Sequence, residues 1–210
     1  MGRDSRQARP VARRMTRRLF VAPMLALLLV GCGGVARASK KLVIDQVAAQ
    51  QATPLKPTSI ALASGGVFAE RQSGYGDNLS PPLAWATTPG AKAYAVVIED
   101  PDAPSPTPFT HWLIWNIPGD AVGLPEGVAP GPAPPAPVGA VQGRNDHDVS
   151  GYTGPRPPRG AGVHHYHVEL FALDAPLRLT PSSRRADLAA ALQGHVLAKG
   201  QLIATYGALE

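Results

Sequence analysis

Short apolar runs broken by glycine and proline dominate the chain, and long periodic stretches are rare. Residues 59–63, 93–99, 111–117, 163–173 and 201–206 are rich in β-branched or aromatic side chains and end in turn formers, which predicts strands. In the fourth run a period of two puts His164, Tyr166, Val168 and Leu170 on one face and His165, His167, Glu169 and Phe171 on the other. The first face starts polar and turns apolar, as a pocket rim does where it passes into a core. The second reads as a solvated face, since neighbours on one strand rarely converge on a metal without ligands from elsewhere. Only residues 186–199 carry apolar side chains at helical spacing, with Ser183 as the candidate cap and Gly200 past the end. The pattern therefore predicts a mainly β domain of the sandwich type with few peripheral helices.

Composition adds turns to this picture. The 210 residues include 22 glycines and 23 prolines and suit a single core rather than two. Between Pro118 and Gly143 the run Pro132-Ala133-Pro134-Pro135-Ala136-Pro137 favours extended polyproline geometry and lacks ladder donors, which predicts a surface loop.

The beginning of the chain follows different rules. Arg17 and Arg18 precede an uncharged stretch, residues 19–30, which has the length of a signal-peptide apolar region and is too short to span a bilayer. It ends Leu29-Val30-Gly31-Cys32, in the manner of the bacterial lipobox, and Cys32 is the only cysteine of the chain. The expectation is a lipoprotein signal over residues 1–31, lipidation of Cys32, a tether over 32–57 and a folded domain over 58–210. Several acyl chains on Cys32 would hold the protein in a bilayer, each buried methylene contributing about 0.8 kcal/mol. The expected location is the non-cytoplasmic side of a bacterial membrane. The paired arginines also resemble a twin-arginine export signal, although an ordinary basic leader accounts for them better in so arginine-rich a segment.

Charge excludes one class of partner. Seven arginines and one acid, Asp4, lie within residues 1–31, an excess larger than the +5 of the whole chain. The rest of the chain is nearly neutral and lacks the clustered Lys and Arg that nucleic-acid binding needs, so no nucleic-acid partner is expected.

Candidate chemistry gathers at strand ends. Asp100-Pro101-Asp102-Ala103-Pro104 comes directly after a strand, where loops often carry function and where Asp and Pro also build turns for their own sake. Gly151 to Pro158 is a rigid loop whose backbone amides would suit an anion. No Gly-x-Ser-x-Gly elbow, His-Glu-x-x-His helix or phosphate-binding glycine-lysine loop occurs, so an enzyme is not expected.

Together, Asn78 to Trp85, Asp100 to Pro104, His111-Trp112, Gly154 to Pro158, His164-His165-Tyr166 and the closing Gly194 to Ala198 with Thr205-Tyr206-Gly207 resemble the phosphatidylethanolamine-binding family, in its bacterial Raf-kinase-inhibitor-like branch. The resemblance implies a β-sandwich of a larger and a smaller antiparallel sheet and a pocket for phosphate or a phosphorylated head group. It implies Asp100, His111, Pro155, His164 and Tyr166 as pocket residues, with Asp102 and Pro104 shaping the rim, and neither cofactor nor metal. His111 and His164 are then expected to meet the anion as cations, with Asp100 orienting an imidazole. Inhibition of an envelope protease through the surface, and metal-assisted hydrolysis, stand as alternative functions. His165, His167 and His147 depart from the family pattern, which puts surface partners in question and leaves the pocket intact.

Overall fold

A computed structural model describes residues 40–63 and 66–207. The leader, Cys32 and the paired arginines lie outside the described residues. The elements are helix α1 (Val43–Gln46), strands β1 (Leu62–Ala63), β2 (Val67–Phe68), β3 (Leu83–Ala84), β4 (Ala93–Asp100), β5 (Phe109–Pro118), β6 (Gly123–Leu124), β7 (Val141–Gln142) and β8 (Val163–Leu173), helix α2 (Arg185–Ala191), and strand β9 (Val196–Gly207). A seven-stranded sheet runs β1-β2-β9-β8-β4-β5-β7, and β3 pairs with β6 in a separate small sheet. The larger and smaller sheets are as expected, although the larger is not wholly antiparallel: β2 meets β9 in parallel at Val67 and Thr205.

The central strands show why this sequence folds this way. All eight residues of β4 are buried, because the sheet is covered on both faces there. Its even-numbered residues Tyr94, Val96 and Ile98 join Trp112, Ile114, Tyr166, Val168 and Trp85 in one core. Its odd-numbered residues Ala93, Ala95 and Val97 join Leu113, Trp115 and Phe171, with Val43 and Ile44 of α1 and Leu188 of α2, in a second core. One extra residue on β5, between Ile114 and Ile117 opposite Val96 and Tyr94, makes a bulge. Asn116 holds it in the left-handed region at φ 56° while its side chain bonds both the amide and the carbonyl of Leu177. Ile117 is thereby returned to the first core.

Five expectations need correction. The 32–57 segment is not a bare tether from Leu42 onward, because Leu42, Val43, Ile44 and Val47 are buried in the second core. Glu99 accepts from the amide of Val43 at 3.0 Å, Glu169 from that of Ile44 at 2.9 Å, and the Lys199 ammonium donates to the carbonyls of Ile44 and Val47 at 2.6 and 2.7 Å. Both ends of this one-turn helix are therefore seated on the sheet by polar side chains of β4, β8 and β9. Glu169 is accordingly not on a solvated face; it is fully buried beneath α1, whereas His165 is exposed.

The helix expected over 186–199 stops at Ala191, and Val196 already begins β9. Gly194, at φ 79°, takes the left-handed conformation that ends the helical course. Ser183 does not cap it. The start is fixed instead by the Asp187 carboxylate, which accepts from the Arg184 amide at 2.9 Å. The Pro118 to Gly143 stretch is likewise more than a surface loop. It supplies β6 and β7 and buries Leu124, Val128 and Ala140, and its Gln142 accepts from the Trp112 indole at 2.7 Å while donating to Ala129 and Gly131.

Candidate functional site

The ends of β4, β5 and β8 meet at one edge of the fold. Asp100 closes β4 with both carboxylate oxygens engaged. Oδ1 accepts from the amides of Asp102 and Ala103 at 2.7 and 3.0 Å, and Oδ2 lies 2.7 Å from Nδ1 of His164. The turn-building and imidazole-orienting roles thus belong to the same carboxylate, and the imidazole it orients is that of His164.

His111 is held differently. Its Nδ1 lies 2.7 Å from the carbonyl oxygen of Thr153, and a carbonyl only accepts, so Nδ1 carries the proton and the neutral ring leaves Nε2 as an acceptor. Burial pushes the imidazole down to about 4, against the raising influence of that bond and of Asp100. On its own the ring is therefore uncharged at neutral pH, and a cationic His111 would need the bound anion to hold its proton.

Tyr166 stands between them, its ring 5.2 Å from that of His111 and 6.4 Å from that of His164, with Phe68 edge-on at 5.9 Å. Burial, and then the charges of Asp100 and Asp102, push its ionisation upward, so the hydroxyl keeps its proton.

These groups line a cavity of about 320 Å³. Of the residues expected from sequence, Asp100, Pro104, His111, His164 and Tyr166 are in its wall. Asp102 and Pro155 are not. The Asp102 carboxylate turns outward and takes both the amide and Nδ1 of His165 at 2.8 Å, tying the turn to the start of β8. Partial burial alone would raise this carboxyl, but the bonds from His165 hold it below its usual value. The Pro155 carbonyl accepts from the amide of Gly74 at 2.8 Å, behind the wall.

The wall also contains residues that the sequence reading did not place in the pocket: Phe109, His147 and Arg156. His147 packs edge-on against Phe109 at 5.0 Å and stands 6.3 Å from His111, so this departure from the family pattern lies in the pocket itself. It is placed by Asn145, a fully buried hub. Asn145 Oδ1 accepts from the His147 amide at 2.9 Å, and Nδ2 reaches the His111 carbonyl at 3.1 Å and Thr153 Oγ1 at 2.9 Å. Burial, helped by the charge of Arg156, lowers the His147 imidazole from its ordinary value.

Two of the loop amides expected to bind an anion are already used. The Gly154 amide donates to Asn78 Oδ1 at 2.6 Å and that of Thr153 to the His111 carbonyl at 3.0 Å. Arg156 brings the cation of this loop instead, and a charged residue set between prolines in a loop singled out for anions was the signal available for it. A larger cavity of about 480 Å³, lined by Val67, Phe68, Tyr75, Arg159 and Tyr206, lies nearby. Size alone does not make it the site, because it lacks the convergence of two histidines, a carboxylate and a buried tyrosine. Among the described residues no group of three or more His, Cys, Asp or Glu is placed to hold a metal ion.

Comparison with known proteins gives this geometry a context. The family model described as phosphatidylethanolamine-binding protein matches residues 58–207. A UPF0098 protein of Pyrococcus abyssi is 33% identical over 188 residues, covering 89% of this chain and 97% of the relative. LppC of Mycobacterium tuberculosis, whose name assigns it provisionally to the lipoproteins, is 31% identical over 195 residues, covering 87% of this chain and 91% of the relative. Among solved structures, YbcL of Escherichia coli, described as a new member of the mammalian PEBP family, superposes with a TM-score of 0.70 at 30% identity, covering 75% of this chain and all of its own.

Proposed function

The chain belongs to the phosphatidylethanolamine-binding protein family, and on that premise we propose that it is a lipid-anchored envelope protein whose cavity holds phosphate or a phosphorylated head group without turning it over. The observation that carries the reading is the convergence of Asp100, His111, His164 and Tyr166, with Arg156, on one cavity of about 320 Å³. That volume suits a small ligand, and its wall is mostly apolar with few polar groups, the usual build of a binding site. Asp100 is committed to its turn and to His164, and His111 Nδ1 is committed to a carbonyl, so the set resembles a receptor more than an acid–base pair. The lipoprotein name of LppC and the Leu29 to Cys32 motif support the anchor. An envelope protein regulated by the loaded or empty state is a further partner consistent with this location.

Native mass spectrometry of the purified mature protein, followed by calorimetry with inorganic phosphate and phosphoethanolamine, tests the reading. A retained or titratable phosphate compound that leaves unchanged is expected. Release of inorganic phosphate from phosphoethanolamine in the presence of the protein would make it an enzyme, and no binding of either compound would remove the anion site.

A further inference from the structure

The chain enters its fold at the pocket end of the large sheet. The Lys40 ammonium donates to the carbonyl of Ala103, a residue of the pocket wall. The Val43 amide then reaches Glu99, next to the Asp100 that closes β4. From there the chain runs down the sheet to its opposite end, where the Gln50 amide donates to the carbonyl of Val196 at 3.0 Å. Val196 pairs with Leu173, and Leu173 with Ala93, the first residue of β4. The length of β4 separates the two ends by about 25 Å at the rise of an extended strand.

Only residues 33–39 lie between Cys32 and Lys40. That stretch of chain reaches at most about 29 Å when fully extended and about 16 Å as a flexible coil. An acylated Cys32 lies at the bilayer surface, so Lys40 and the pocket rim beside it stay within that reach of the lipid. Turning the opposite end to the membrane would lift Lys40 by the further length of the sheet, which takes nearly all of the extended reach. An ordinary coil does not supply it.

Charge favours the same end. The rim loops, residues 103–108 and 156–163, contain Arg156 and Arg159 and no acid. Among the described residues neither arginine has a carboxylate partner, unlike Arg71, Arg144, Arg184 and Arg185. Asp102, the acid beside these loops, is tied to His165. Val163, exposed at the start of β8, adds an apolar side chain. The opposite end exposes Asp120 and Asp174 beside Lys92. An anionic lipid surface attracts the first set and not the second.

We propose that the short tether holds the protein with this pocket end against the bilayer, the loops 103–108 and 156–163 forming a lipid-facing rim and the Ala93 end of β4 pointing away. The proposal rests on the lipid-anchor reading above and adds which surface that anchor presents to the membrane. The partner is the lipid surface itself, whatever compound the pocket holds.

The lipidated protein, purified from membranes and reconstituted into vesicles containing phosphatidylglycerol, tests this. Cys32 is the only cysteine of the chain, and acylation blocks its sulfur. Thr107→Cys, Ala161→Cys, Asp120→Cys and Pro176→Cys therefore each take a single fluorescent label, whose quenching by lipids with a nitroxide on the head group reports closeness to the bilayer. Labels at Thr107 and Ala161 are expected to be quenched about twofold or more as strongly as labels at Asp120 and Pro176. A Gly-Ser insert of about twenty residues after Gly34 should largely erase the difference, because the longer coil lets either end reach the lipid. Equal quenching at the two ends, stronger quenching at Asp120 and Pro176, or a difference unchanged by the insert overturns the proposal. Mass spectrometry of the mature N-terminus keeps the two readings apart. Acylated Cys32 with any of those results leaves the anchor standing and removes the orientation, whereas an unacylated Cys32 removes both.

Discussion

Asp100 holds Nδ1 of His164 at 2.7 Å with one carboxylate oxygen and the two amides of the following turn with the other. A strand end, a turn and a pocket imidazole therefore depend on a single side chain. An isosteric amide cannot accept on both sides, so Asp100→Asn is expected to leave a buried donor unpaired and to cost about 1 to 3 kcal/mol. The change should appear as an altered tautomer of His164 by ¹⁵N NMR together with a lowered urea midpoint. An unchanged ring spectrum would mean that Asp100 does not orient it.

His111 gives the fold an acid sensitivity of definite sign. Burial holds the folded imidazole at about 4 against an unfolded value of 6.5. Its contribution is therefore fully present above 6.5, is lost progressively as pH falls toward 4, and is constant below that. The loss over that window is of the order of 3 kcal/mol. His111→Gln should flatten the acid limb of a plot of unfolding free energy against pH. An acid limb as steep as that of the wild type would mean that another group titrates there.

Glu169 acts at the other end of the scale. Burial, and then the charge of Glu99, push its carboxyl well above the ordinary value, so the fold favours the protonated form. The stability that this gives is present below the unfolded value and is lost as pH rises through the folded one. Glu169→Gln keeps an acceptor for the Ile44 amide and removes the titration. The variant is expected to gain on the wild type as pH rises above the ordinary carboxyl value of 4.5, with slower amide exchange at Val43 and Ile44 at the alkaline end. Parallel profiles for the two proteins would assign the alkaline loss elsewhere.

On the lipid-anchor reading proposed above, localisation depends on a single sulfur. Cys32→Ala should shift the protein from the membrane fraction to a soluble or unprocessed form in detergent partitioning, since the proposed acyl chains would supply the membrane affinity. Undiminished membrane retention would sink the anchor.

The range of each interaction decides how far it was legible in the sequence. Strands β4, β5, β8 and β9 could be read because their apolar pattern is local, and the Asp100 turn because a carboxylate bonding amides two and three residues on is local too. Helix α1 could not. Four residues are too few to declare themselves by periodicity, and their amides are satisfied by carboxylates 56 and 125 residues away. The helix expected beyond Ala191 failed because Leu192 and Val196 suit either element, and Gly194 rather than Gly200 ends the course. At the site, the sequence supplied five members of the cavity wall. It did not supply the tautomer of His111, which is set by a carbonyl 42 residues on, nor the position of Arg156, which depends on packing against Gly74 and Tyr75.

The seat of α1 also has a mechanical meaning. Glu99, Glu169 and Lys199 stand on β4, β8 and β9, three adjacent strands in the interior of the seven-stranded sheet. A pull on the chain ahead of Lys40 therefore enters the fold at its middle and is shared among three ladders, rather than peeling an edge strand one bond at a time. Before it reaches those ladders such a load must pull Val43 and Ile44 out of the second core as well as break the bonds to Glu99, Glu169 and Lys199.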